Sequence, residues 1–259
     1  MPEKSPVYVG VMILRNAGRV RRPFVYAALD ARRELLALCR GDRAEVLAYL
    51  GGQRAAVAAI DAPRGPNTGV VNDAATYQQG LPFEKPRRAI NARLSECLLR
   101  ESGCPVDATP SKVRDCPKWK RVGFDLFRRL AEYGYQPFPN QDGEWHSLET
   151  RVEAVFWRLL GGKLPLPESL EGRLQRQLIL HDLACPVPDA MDFFLEITRH
   201  KLILGDLPDE EIFSFNELNA LMVAYMAWAA AHQPDDLDLL GDLDEGQIAL
   251  PKNALFKSL

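Results

Sequence analysis

The sequence predicts an α/β protein built on a mixed five-stranded sheet that is flanked by helices. A near-continuous apolar run over residues 7–14 is typical of a central strand. A second run, from Val57 to Ile60, ends on Asp61 and is stopped at once by a proline and a glycine, which is the pattern of a buried strand closed by a turn. Elsewhere, apolar residues recur at three- and four-residue steps, and this spacing indicates amphipathic helices.

The first half of the sheet follows from short connections. Residues 23–29 and 34–39 come soon after the first strand, and such spacing joins antiparallel neighbours. Asp42 and Glu45 form a capping-box pattern for a helix that a glycine pair ends. The strand that ends at Asp61 then returns parallel to the first strand by the crossover rule.

The second half of the chain is predicted to be mostly helical. Residues 147–149 begin a fifth strand, and helices follow over 153–160, 168–183 and 188–204. A last long helix opens at Ser214, and its apolar residues recur at helical steps, so we expect one of its faces to be buried.

Length and composition fit a single soluble domain over residues 1–259. Hydrophobic residues make up 47% and charged residues 26% of the chain, which excludes the disordered and fibrous classes. The net charge of -3 provides no global basic surface, so binding of long nucleic acid must depend on local basic patches. No apolar stretch is long enough to span a membrane, so we expect a cytoplasmic protein. The five cysteines are scattered and include no Cys-x-x-Cys pair, so we expect reduced thiols and no zinc site.

Residues 62–145 are predicted to form a helical insertion after the fourth strand, covering one edge of the sheet. This segment is rich in proline and contains helical patterns near 87–101 and 121–133. Its basic and aromatic residues, such as those of the run from Lys118 to Arg121, can contact a polyanion. Amphipathic helices also expose Arg and Lys without any ligand, so both interpretations stay open.

Short motifs occur in a fixed order along nearly the whole chain. They are Val9-Gly10-Val11-Met12, Ala59-Ile60-Asp61-Ala62-Pro63, Leu148-Glu149-Thr150, Glu171 to Gln177, Glu217 to Leu221, and a tail with Gly241-Asp242 and Glu245-Gly246-Gln247-Ile248. In these motifs the chain resembles the predicted-nuclease group known as domain-of-unknown-function family 429. The resemblance implies a ribonuclease H-like fold, with the five-stranded sheet and the helical insertion described above.

The resemblance also implies a site of four acids that hold divalent metals for phosphodiester hydrolysis. Asp61 and Glu149 occupy two of these positions and are the predicted catalytic and metal-binding pair. Met12 and Asn219 stand where the family pattern has Asp, and neither supplies a charged oxygen to a hard cation. Glu153 is a third candidate ligand, with an interaction at a helix N-terminus as its alternative role. We therefore expect Mg²⁺ or Mn²⁺ to bind weakly.

Three arginines complete the candidate site. Arg173, Arg176 and Arg199 are expected near the active edge, where guanidinium groups can meet phosphate bidentately. A solvated helix face explains them nearly as well. Met12 also fits a buried core position and Asn219 an internal hydrogen bond, so each candidate keeps a structural alternative.

The sequence favours a metal-dependent nuclease-family protein that acts on or binds nucleic acid and has a degraded active site. The alternative is a non-enzymatic interaction or scaffold protein on the same fold. Phosphotransfer ranks third, because residues 10–18 contain two glycines in place of a Gly-rich phosphate loop. The nuclease hypothesis places Asp61 and Glu149 on adjacent strands at the carboxyl edge of the sheet, with Met12 and Asn219 beside them.

Overall fold

An eight-stranded mixed sheet forms the centre of the protein. The computed structural model describes residues 6–73, 88–139, 143–208 and 211–255. The strands are β1 (Val7–Ile13), β2 (Phe24–Leu29), β3 (Leu35–Gly41), β4 (Ala56–Asp61), β5 (Gln136–Pro137), β6 (Trp145–Thr150), β7 (Leu237–Asp242) and β8 (Gly246–Pro251). Their order across the sheet is β3-β2-β1-β4-β6-β8-β7, and β5 pairs with the first part of β6. Strands β1, β4, β6 and β8 run parallel, whereas β2, β3 and β7 join antiparallel to their neighbours.

Helices cover both faces of this sheet. They are α1 (Arg43–Gly51), α2 (Leu94–Glu101), α3 (Lys118–Glu132), α4 (Val152–Leu160), α5 (Leu170–Asp182), α6 (Asp192–Glu196), α7 (Arg199–Leu204) and α8 (Phe215–His232). One apolar core joins α4, α5 and α8 to one face of the central strands, and a second core joins α1 and α3 to the other face. Among the described residues, no helix combines the length and apolar character that crossing a membrane requires.

Helix α8 packs directly on the central strand β1. It begins with a capping box between Ser214 and Glu217, as the serine predicted, and every residue from Leu218 to Ala230 is buried. The contact is close because Gly10 has no side chain: a Cβ atom there would collide with the backbone of α8 at Ala220 and Ala224. The expected burial of one face of α8 is confirmed, and the structure buries its other side as well, because α4 and α5 cover it.

The prediction of five strands is wrong, and the additional strands lie mainly in the tail. Strands β7 and β8 form a hairpin, and β8 joins the sheet through the pairs Glu149 with Ile248 and Thr150 with Ala249. These strands are six residues each and do not alternate cleanly in polarity, so the sequence pattern did not reveal them. Pairing with β6, which is a tertiary contact, stabilises them.

The predicted helix over 188–204 is also wrong, because two short helices, α6 and α7, occupy this segment. The break falls at Ile197, which is extended, and Thr198 then caps α7 through its side chain. Between β4 and β6, the structure has α2 and α3, close to the two predicted helices. Residue 87 of the first predicted helix lies outside the described residues, and residues 88–93 are not helical, so this helix begins later than predicted, at Leu94.

Candidate functional site

Asp61 and Met12 lie side by side at the carboxyl edge of the sheet. They are the last register pair between the parallel strands β1 and β4. Paired residues of neighbouring strands project from the same face, so the methionine stands directly beside the carboxylate. Both side chains are buried. Two of the four positions that the resemblance assigns to acids therefore meet here, one as an aspartate and the other as a methionine.

Glu149 lies on the adjacent strand but on the other face of the sheet. Strands β4 and β6 are hydrogen-bonded neighbours, as predicted, and Glu149 is in register with Ile60. Because side chains alternate along a strand, Glu149 projects with Ile60, while Asp61 projects from the opposite face. The structure thus brings the two predicted catalytic acids to one edge of the sheet without joining them in one carboxylate pair.

The carboxylate of Glu149 belongs to a buried ion pair. The guanidinium of Arg93 donates to Glu149 at 2.6 Å, and both side chains are almost fully buried. The other oxygen of Glu149 accepts the backbone N–H of Arg64 at 2.9 Å. Arg93 also donates to the backbone carbonyls of Glu245 and Gly246. Each carboxylate oxygen of Glu149 therefore already accepts a hydrogen bond from the protein.

This ion pair is part of a larger buried group, the Arg93 cluster, which comprises Arg93, Glu96, Lys120, Glu149 and Glu245. Glu245 accepts the backbone N–H groups of Thr68 and Leu94, and Glu96 accepts from Thr109 and Lys120. Burial lowers the pKa of Lys120 to about 8, against the opposing effect of Glu96. The cluster ties α2, α3, β6 and the loop after β4 together, so its charges have structural partners.

Asp61 faces guanidinium groups rather than further acids. Its Oδ1 atom lies 3.2 Å from Nη1 of Arg151 and accepts the backbone N–H of Val152 at 3.3 Å. Burial lowers the pKa of Arg15, and Arg151 lowers it further, whereas the charge of Asp61 raises it. Hard cations need several oxygen ligands of negative charge. One carboxylate next to a methionine and an arginine does not fit a tight Mg²⁺ site. The described residues also contain no group of three or more His, Cys, Asp or Glu side chains that could hold a metal.

Glu153 and Arg176 form a second ion pair near this edge. Arg176 is fully buried, donates to Glu153 at 2.8 Å and to the carbonyl of Gly172, and lies over the rings of Phe156 and Phe215. Burial raises the pKa of Glu153, which Arg176 opposes. Glu153, the proposed third metal ligand, is thus engaged by an arginine, and Arg176 packs inside the protein.

The other two predicted phosphate contacts have different surroundings. Arg173 is half-buried on α5, whereas Arg199 is exposed at the start of the short helix α7. Both residues belong to helices rather than to strands of the sheet.

Asn219 lies in α8, one residue before the point where the helix crosses Gly10. Its side chain is buried, and its Oδ1 atom accepts no hydrogen bond from the described part of the chain. Nε of Arg176 is likewise buried without a hydrogen-bond partner there, whereas Nη1 of Arg151 is paired with Asp61 at 3.2 Å. Buried polar atoms are normally satisfied, so Oδ1 of Asn219 and Nε of Arg176 are positions that an internal water molecule can complete.

A basic rim surrounds this edge on the solvent side. It consists of Arg15, Arg19, Arg21, Lys118 and Arg121, which are all exposed. The hairpin turn between β1 and β2 contacts the start of α3, since Gly18 packs against Lys118 and Arg15 lies 3.8 Å above the Trp119 ring. Arg151 lies over the same ring at 5.0 Å. Arg15 of the rim and the buried Arg151 therefore meet at one aromatic ring.

Sequence reasoning missed Arg93 and Arg151, the partners of the two acids. Arg93 precedes α2 and Arg151 precedes α4, so each lies at the boundary of a helix, where an arginine has no distinctive pattern. A partial signal existed for Arg151, which follows the Leu148-Glu149-Thr150 motif directly. Only the fold brings Arg93 to Glu149, across 56 positions of the chain.

Comparison of the chain with family models, with curated proteins and with solved structures gives no significant match.

Proposed function

We propose that this chain is a ribonuclease H-like protein of the predicted-nuclease type that binds nucleic acid at the carboxyl edge of its sheet without efficient hydrolysis. The fold part of this proposal is supported by the order of the elements: the meander β1 to β3, then β4 with Asp61, then β6 with Glu149, and the closing helix α8 packed on β1. This is the order on which the family resemblance depends.

One observation carries the loss of hydrolysis. Asp61 is in register with Met12 and faces Arg151 at 3.2 Å, so a guanidinium stands where a second carboxylate or a metal would be needed. Two-metal hydrolysis requires several acids that converge on one point. We accordingly propose that Mg²⁺ or Mn²⁺ binds weakly.

Binding is supported by the basic rim at the same edge. Phosphate oxygens are good acceptors for exposed Arg and Lys side chains. The rim offers five such cations, Arg15 among them. The alternative, a scaffold that binds another protein, shares the fold but does not need this rim.

Hydrolysis is tested with single- and double-stranded DNA and RNA in Mg²⁺ or Mn²⁺. We expect the unmodified protein to be inactive, and the double variant Met12→Asp with Asn219→Asp to gain metal affinity and cleavage, with either single change doing less. Calorimetry follows the metal directly. Hydrolysis by the unmodified protein that disappears in Asp61→Asn would show that the site is intact and the proposed loss wrong.

Binding is tested separately by fluorescence anisotropy with labelled oligonucleotides. The double variant Arg15→Glu with Lys118→Glu should weaken binding by about tenfold or more and flatten its dependence on salt. Arg32→Glu is the matched control, because Arg32 is exposed on the turn after β2, at the opposite end of the sheet. If no oligonucleotide binds the unmodified protein at low salt, the scaffold alternative is favoured.

A further inference from the structure

An unusual number of apolar side chains is exposed between α5 and α8. Met191, Phe194 and Leu195 lie on or just before α6, and Leu202, Ile203 and Leu204 end α7. Each exposes more than half of its surface, and Leu195 is 82% and Ile203 71% exposed. We call these six residues the apolar face. Together they expose on the order of several hundred Å², which is more than scattered surface residues of a monomer usually form.

The two helices differ in how the protein holds them. Phe193 of α6 is buried with Leu174, Ala190 and Ile212 in a small core of its own, so the segment is anchored to α5. Helix α7 has six residues, and none of them is buried among the described parts of the protein. A helix of this length has no stability of its own, because most helical stability in proteins comes from packing one face. Helix α7 therefore needs a surface to pack against.

The charges around the apolar face indicate which surface this is. Asp192, Glu196 and Asp206 lie beside it together with Arg199 and Lys201, and Lys201 pairs with Glu196 at 3.4 Å. A nucleic acid or an anionic membrane attracts a net basic surface, and this one is slightly acidic. A mixed rim can instead complement itself, because a two-fold contact brings each patch against an identical one.

We propose that the apolar face is the contact surface of a homodimer. Two copies related by a two-fold axis would pack α6 and α7 against the same helices of the partner copy, with the acidic and basic side chains of the rim paired across the contact. A standard interface buries about 800 Å² of each partner, and the apolar face together with its polar rim offers an area of this order. This proposal is independent of the nucleic-acid site at the sheet edge.

The oligomeric state is measured by light scattering and sedimentation velocity on the full chain at about 1 and about 100 µM. We expect twice the mass of the 29.0 kDa chain at the higher concentration. The triple variant Leu202→Ser, Ile203→Ser, Leu204→Ser should be monomeric with an unchanged circular dichroism spectrum. Leu243→Ser, which alters an exposed leucine at the β7–β8 turn, is the matched control and should remain a dimer.

Hydrogen exchange on the unmodified protein gives a test that requires no variant. The backbone amides of α7 should be better protected at the higher concentration, because dimerisation covers them. A monomer at both concentrations, a dimer that persists in the triple variant, or a mass that doubles between the two concentrations while the protection of α7 stays the same would each overturn the proposal. A monomer that binds vesicles of phosphatidylcholine and phosphatidylserine through α7 would overturn it in favour of a lipid surface.

Discussion

Neutralising Glu149 should destabilise the protein strongly. Glu149 and Arg93 are almost fully buried and 2.6 Å apart, and the second oxygen of Glu149 accepts the N–H of Arg64. Glu149→Gln keeps the shape of the side chain, but its amide has one acceptor where the site presents two donors. One donor then faces an NH₂ group, and Arg93 loses its directly bonded carboxylate and keeps the charges of Glu96 and Glu245, which it shares with Lys120.

The size of the effect follows from this burial. Removing one partner of a buried ion pair costs about 3–5 kcal/mol, because the remaining charge is desolvated and unpaired. A matched surface change is Asp238→Asn, which breaks the 3.0 Å pair with the partly exposed Arg158. Pairs that are exposed to water contribute about 0–1 kcal/mol. The two variants therefore predict losses that differ several-fold for the same chemical change.

Urea unfolding followed by tryptophan fluorescence separates the two outcomes. We expect the midpoint for Glu149→Gln to fall by an amount equivalent to about 3 kcal/mol or more, with an unchanged slope, whereas Asp238→Asn shifts it slightly. A loss below about 1 kcal/mol for Glu149→Gln would refute the structural role of this carboxylate. It would then be free to serve chemistry at the sheet edge.

Three further predictions concern packing, thiols and pH. Gly10→Ala should cost about 3 kcal/mol or more in unfolding free energy, because its Cβ collides with the α8 backbone, whereas Gly65→Ala, which has open space around it, should change it by less than about 0.5 kcal/mol. Cys39 is the exposed thiol, so a thiol reagent at pH 8 should modify it first. Burial raises the pKa of Cys104 to about 11, so this thiol should react slowly, and its rapid reaction in the folded protein would contradict its burial. Burial lowers the pKa of Lys120 from 10.5 to about 8, so between these values the unfolded chain holds a proton that the folded protein has lost. Stability relative to Lys120→Met should therefore rise with pH across this window, by up to about 3 kcal/mol, and equal pH profiles for the two proteins would contradict the shift.

Local patterns predicted much of the fold. The capping box at Asp42, the helix start at Ser214 and the apolar runs of β1 and β4 indicated elements that the structure contains. These signals are local, because hydrogen bonding at a cap and an apolar run closed by turn residues involve neighbouring residues. The tail hairpin was missed, because β8 depends on pairing with β6 rather than on its own pattern.

For the candidate site, the sequence predicted that Asp61 and Glu149 lie on adjacent strands, as they do, and the resemblance predicted an acid position at Met12, which stays a prediction. It could not determine the partners of the two carboxylates. Register put Glu149 on the opposite face from Asp61, and the fold brought Arg93 to one and Arg151 to the other. A residue type shows which chemistry a side chain can perform, whereas the charges that surround it decide which chemistry it does perform, and those charges come from distant parts of the chain that only tertiary packing brings together.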